Sequence, residues 1–114
     1  MLPKHQRIHR TREFGEVVKS RGVRCGCVVV YIDAGSGSGP ARVGLIVGRQ
    51  VGNSVARHKV SRRLRHEVAP LMGVLPAGTR VVLRALPSSS EASSSDISAA
   101  LRRCFGDLVP GGAA

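Results

Sequence analysis

The chain has 114 residues, enough for one domain around one core, and 42% of them are apolar, which excludes global disorder. Eighteen Lys and Arg face seven Asp and Glu, a net charge of +11 that places a polyanion ahead of any neutral partner. The longest apolar run, Cys27 to Ile32, is too short for a secretory signal or a membrane span, so a cytoplasmic protein is expected. The rings are few: Phe14, Tyr31 and Phe105, with no Trp, so the core must be built from Val, Leu, Ile and Ala. Three cysteines, an odd number, argue against a disulfide framework and for a reducing compartment. Cys25 and Cys27, two apart on a strand, read as small buried side chains rather than as half of a metal site.

The positive charge is front-loaded. Fourteen basic residues stand against three acidic ones up to His66, and four of each follow. Met1 to Arg10 reads as an aperiodic basic arm. Thr11 caps a short helix with Glu13 in its first turn, where the helix dipole favours an acid, and Phe14, Val17 and Val18 recur at helical spacing until Gly22. Val23 to Asp33 is β-branched and reads as a strand, bent or broken near Gly26. Gly35 to Pro40 is a turn, and Arg42 to Val47 a second strand, so that the two form a hairpin. Gly52-Asn53-Ser54 is a turn and helix cap, and a helix follows from Ser54 to Val68. Thr79 to Leu86 is a strand with Arg80 and Arg84 on one face and Val81, Leu83 and Ala85 on the other. Ser88 to Ser95 reads as a polar linker. Ser95 and Asp96 begin a last helix striped with Ile97, Ala100, Leu101, Cys104 and Phe105 and stopped at Gly106. Residues 107–114 read as a loose tail. The fold class is an α+β sandwich, α-β-β(β)-α-β-α, with helices covering one side of a central sheet in a single domain over 1–114.

The helix at Ser54 carries the strongest pattern. At about 100° per residue, Val60, Leu64 and Val68 fall within one narrow stripe, and Lys59, Arg62, Arg63, Arg65 and His66 fall opposite. Arg57 lies near the apolar stripe in the first turn, where its stem can cross the sheet edge and keep its charge wet. Glu67 is the helix's one carboxylate. A guanidinium is planar, permanently charged and donates two parallel hydrogen bonds, which suits phosphate. Solubility alone is served by a mixed Lys/Glu face with less self-repulsion. A membrane-surface helix calls for bulky Trp, Phe or Leu on its apolar face, and Val, Leu and Val only fill a core. A DNA reader shows a helix-turn-helix or a dimerisation element, and neither is evident. Structured RNA is the partner this surface points to, with Phe14 and Tyr31 as candidate stacking platforms beside ordinary core packing.

The run from Arg42 to Arg65, R-V-G-L-I-V-G-R-Q-V-G-N-S-V-A-R-H-K-V-S-R-R-L-R, resembles the protein subunit of bacterial ribonuclease P. The resemblance extends upstream through Arg7-Ile-His-Arg-Thr-Arg-Glu-Phe14 and downstream through the Thr79–Leu86 strand and the last helix. It implies an α/β sandwich with a left-handed crossover, against the usual hand. It implies a large catalytic RNA and precursor tRNA as partners and removal of the 5′ leader as the reaction. The chemistry would belong to the RNA and its Mg²⁺, with no catalytic residue in the protein and no obligate protein partner. By matching position, Arg57, Arg62 and Arg65 take the motif arginines. His58 stands where the family has Asn, Lys59 where it has Arg and Ser61 where it has Lys, with Arg63 partly compensating. Phe14, Val18, Tyr31 and Asn53 match the cleft that holds the leader, and Val18 stands where Phe is common. Arg7, Arg10, Arg12 and Arg49 are auxiliary basic positions.

Two other readings compete on the residues alone. A ribosome-associated or other structured-RNA binder would share the basic surface but not the motif helix. A nuclease acting alone would need a base or metal ligands, and only His58 and His66 lie near the basic face, neither with a carboxylate at partner spacing.

Overall fold

The computed structural model describes residues 6–8, 11–20, 22–33 and 39–108. Its regular elements are α1 (Thr11–Val17), β1 (Gly22–Cys25), β2 (Val28–Asp33), β3 (Arg42–Ile46), α2 (Ser54–Val68), β4 (Arg80–Ala85) and α3 (Ser94–Leu108). The strand read from Val23 to Asp33 is thus two, turned at Gly26, whose φ of +58° glycine adopts without a Cβ penalty.

The sheet order is β1-β2-β4-β3. This corrects the expected hairpin between β2 and β3. β4 lies between them, antiparallel to β2 and parallel to β3, and α2 spans the parallel crossover. The physical reason lies in β4 itself. Val81, Val82 and Leu83 are consecutive and all fully buried, the mark of a strand covered on both faces.

Helices therefore pack on both sides, not on one. Val60, Leu64 and Val68 of α2 and Ile97, Leu101, Cys104 and Phe105 of α3 join Val28, Val30, Val43, Val81 and Leu83 in the main core. On the other face α1 lays Val17 against Val82 and Ile8, with Phe14, Val18, Tyr31 and Ile46 half-buried around them. Ile8 also corrects the loose-arm reading for its described part. It is buried and its N–H donates to the Val43 carbonyl at 2.9 Å, while Arg7 bridges to the same strand. Residues 1–5, 9 and 10 of that arm, and the turn at 34–38, lie outside the described residues.

An ion-pair cluster fastens α1 to the sheet. Arg42 donates to Glu13 at 2.9 Å and Arg80 to Glu16 at 2.7 Å, and Arg80 also pairs with Asp33. Hydrogen bonds from Arg80 to Glu16 and to Asp33 raise its pKa above the ordinary guanidinium value. Glu13 thus serves as an anchor as well as a favourable first-turn charge.

The serine-rich stretch is ordered rather than a linker. Pro87–Glu91 forms a 3-10 turn, Ser89 is fully buried, and its hydroxyl donates to the Leu86 carbonyl at 2.7 Å. Ser93 then caps α3: its Oγ accepts from the Asp96 N–H, and Asp96 Oδ2 accepts from the Ser93 N–H, both at 3.1 Å. The helix starts one residue earlier than read and passes Gly106 to Leu108, an interior glycine costing only about 1 kcal/mol. Of the tail, residues 109–114 lie outside the described residues.

Cys25 and Cys104 form a disulfide, with their Cα atoms 6.0 Å apart. This corrects the expectation of unbridged thiols. The partners are 79 residues apart and meet because α3 packs against β1, which neither parity nor spacing reveals. Cys27 is the free thiol, buried as expected, and that burial raises its pKa, so the protonated form is favoured. In denaturant without reductant, iodoacetamide should modify one thiol per chain, and three after reduction. Three modified thiols in the unreduced protein, counted by intact mass, would show that Cys25 and Cys104 are not joined.

Candidate RNA interface

α2 is set by its ends and by its stripe. Asn53 caps it, its side-chain oxygen accepting from the Ala56 N–H at 2.9 Å. Gly52 just before has a φ of +153°, and a Cβ there would stand 2.8 Å from that of Ala56, so the tight entry demands glycine. At the far end Ala69–Val74 tightens into a 3-10 turn with Pro70 at its start. Val60, Leu64 and Val68 are buried as the periodicity requires.

The opposite face carries the cations. His58, Lys59, Arg62 and His66 are exposed, while Arg57, Arg63 and Arg65 are half-buried. The described ion pairs all belong to Arg42 and Arg80, so among the described residues no arginine of α2 is neutralised by a carboxylate. Two side chains are partly committed within the protein. Arg63 Nη1 donates to the Ala92 carbonyl at 2.8 Å, and Arg57 Nη2 donates to Ser54 Oγ at 3.3 Å. Arg57 Nε is buried with no hydrogen-bond partner in the protein, in keeping with a stem laid over the apolar side. Lys59 and Arg62 stand on the crest between two grooves. One is lined by Ser54, Val55 and His58, and the other by Arg63, His66 and Ser94. Val55, 75% exposed, is an apolar tip on this otherwise cationic face, unremarked in the sequence.

A second surface lies on the α1 side of the sheet, where strand register sets three cross-strand rows. Asp33, Arg80 and Arg42 make the ion-paired row under α1. Gly22, Tyr31, Val82 and Gly44 make the next, and its two glycines admit the rings. A Cβ on Gly44 would stand 2.4 Å from Phe14, and one on Gly22 2.6 Å from Tyr31. Arg24, Val29, Arg84 and Ile46 make the third, with both arginines exposed. Phe14, Val18 and Tyr31 therefore do come together, half-buried, beside a strip that pairs aliphatic with guanidinium groups. The sequence reading missed Arg24 and Arg84 as part of this surface. The alternation of Arg80 and Arg84 was visible, but without β2 beside β4 there was nothing to place it against.

Of the remaining candidates, Asn53 is exposed and its oxygen is occupied by the cap. Arg12 lies exposed on α1, and Arg49 lies exposed in the 3-10 turn that leads into α2. Arg7 is half-buried on β3 with its Nε unpartnered in the protein. Arg10 lies outside the described residues. Among the described residues, no helix is long and apolar enough to cross a membrane.

A family model for ribonuclease P matches residues 2–109. The chain is 43% identical over 118 aligned positions to the ribonuclease P protein component of Mycolicibacterium paratuberculosis, spanning 97% of this chain and 98% of that protein. It is 46% identical to the corresponding protein of Mycobacterium sp. strain KMS, spanning 90% and 92%. Among solved structures, a mutant of the Staphylococcus aureus RNase P protein superposes with a TM-score of 0.81 at 21% identity, covering 92% of this chain and 89% of that one, which shows a shared fold. With the fold, the motif helix and near full-length similarity in agreement, the chain belongs to the ribonuclease P protein family, the protein subunit of the ribonucleoprotein endoribonuclease that matures the 5′ ends of tRNA.

Proposed function

We propose that this chain acts as one RNA-binding domain with two working surfaces. The outer face of α2, through Lys59, Arg62, Arg65 and the flanking His58 and Arg63, holds the catalytic RNA of the enzyme. The α1 side of the sheet, through Phe14, Val18 and Tyr31, receives the single-stranded 5′ leader of precursor tRNA, with Arg24 and Arg84 beside its phosphates. The observation that carries the reading is the row of α2 cations left without carboxylate partners among the described residues, while the arginines at the α1 end of the sheet are paired. Like charges kept adjacent and unneutralised lose their mutual repulsion when phosphates enter.

On this reading the protein binds and orients, and it performs no bond-breaking step itself. The Mg²⁺ that the reaction requires is carried by the RNA. Glu13, Glu16 and Asp33, the carboxylates gathered near α1, are engaged with Arg42 and Arg80 and do not fit a cation's oxygen shell. The complex works in the cytoplasm, where precursor tRNA is made.

Reconstitution tests this. Alone, the protein should leave precursor tRNA intact. With a bacterial ribonuclease P RNA it should remove the 5′ leader at lower salt and Mg²⁺ than the RNA needs alone. Efficient cleavage by RNA-free protein supplied with metal, or an RNA whose requirements the protein does not change, would overturn the proposal.

A further inference from the structure

The groove between α2 and the first turn of α3 has a volume of about 550 Å³ and is lined by Lys59, Arg62, Arg63, His66 and Ser94. Four of those five side chains are basic, and among the described residues no carboxylate lines it. Arg63 ties its two walls together, spending one N–H on the Ala92 carbonyl and holding the start of α3 beside the α2 crest. Of the acids nearest in sequence, Glu67 beside His66 and Asp96 two residues after Ser94, neither lines the groove, and Asp96 is turned to the cap, accepting from the Ser93 N–H. Ser94 is exposed and lines the groove as its one non-basic residue. The groove on the other flank of the crest differs, having Val55 in its wall.

We propose that the α2–α3 groove seats a tract of RNA sugar-phosphate backbone, so that the RNA-contact surface extends from α2 onto the first turn of α3. The inference rests on the reading that α2 faces the catalytic RNA, and it adds a second wall to that contact. The chemistry selects backbone over base. Residues with guanidinium, ammonium and hydroxyl donors line it, and its one ring is the His66 imidazole, with no Phe, Tyr or Trp to form a stacking wall. Lys59 and Arg62, lining both grooves, reach the same backbone from its near side, and Ser94 meets it from the far side.

The test compares two glutamates one residue apart. Ser94→Glu puts a carboxylate among the four basic groups. Ser95→Glu makes the same change in net charge in the same helical turn, but Ser95 does not line the groove. Affinity for a ribonuclease P RNA is titrated at several salt concentrations. Ser94→Glu should weaken binding about tenfold or more and shallow the salt dependence by about one unit. Ser95→Glu should stay within about threefold of the parent, since an exposed charge outside the contact is screened. A glutamate in the first turn favours the helix, so thermal melts should show both variants folded. Equal losses from the two variants, or none from Ser94→Glu, would overturn the groove. Arg62→Ala, measured alongside, separates the two readings. A loss there with none at Ser94→Glu removes the groove and leaves α2 as the RNA surface, whereas no loss at either removes both.

Discussion

Replacing Arg62 and Arg65 together with alanine is expected to weaken binding to ribonuclease P RNA by about a hundredfold or more at physiological salt. Each guanidinium lost takes a charge-assisted hydrogen bond worth roughly 1.5–3 kcal/mol, and every 1.4 kcal/mol is a factor of ten. The salt dependence carries the sharper signature. With about five phosphate contacts on the helix, log K should fall against log[salt] with a slope of roughly −3.5 to −4.5, and the double variant should be shallower by about 1.4 to 1.8 units. The fold should not suffer. Arg62 is exposed, neither arginine is in a described ion pair, and removing two like charges relieves repulsion, so the melting temperature should hold or rise slightly. An unchanged slope would mean that the RNA lies on some other surface.

Leu64→Ala probes the same helix from beneath and should do the reverse. Leu64 is fully buried under α2, in the core shared with Val81 and Leu83. Truncating a buried leucine costs about 2–5 kcal/mol, depending on how far the cavity collapses. That is a large share of the roughly 5–15 kcal/mol that holds a domain together, so the melting temperature should drop by about 10 °C or more. Every cation remains present, so at low temperature, where the chain is still folded, the salt slope should match the parent's. A Leu64→Ala protein as stable in urea as the parent would mean that the apolar stripe does not dock the helix. The two variants thus separate the helix's grip on RNA from its seat on the sheet.

Legibility differed sharply between these two faces. α2 was readable to the residue because both of its signals are local: a cap at Asn53 and a stripe at Val60, Leu64 and Val68. The outward placement of Lys59, Arg62 and Arg65 follows from the same periodicity, whereas the motif positions of Arg57, Arg62 and Arg65 rest on the family resemblance. What the residues alone did not give was long-range. β4 enters the sheet 34 positions after β3 ends and separates it from β2, so the cross-strand rows on the α1 side existed only once that pairing was known. The three consecutive apolar residues Val81, Val82 and Leu83 were the available hint, outweighed by the alternation of Arg80 and Arg84. The Cys25–Cys104 bridge was hidden for the same reason. Arg63 was read as one more outward cation, because a helical wheel cannot show that Ala92 comes within 2.8 Å of it.

The central position of β4 also bears on how the molecule is made. Until the ribosome has released residues 80–85, β2 and β3 each lack the neighbour that both of them pair with. The motif helix is synthesised before that point, and its aliphatic side then has an unfinished platform to land on. A nascent chain would leave the exit tunnel with its arginines presented but its docking surface incomplete, and adoption of the final shape would wait for nearly the whole chain.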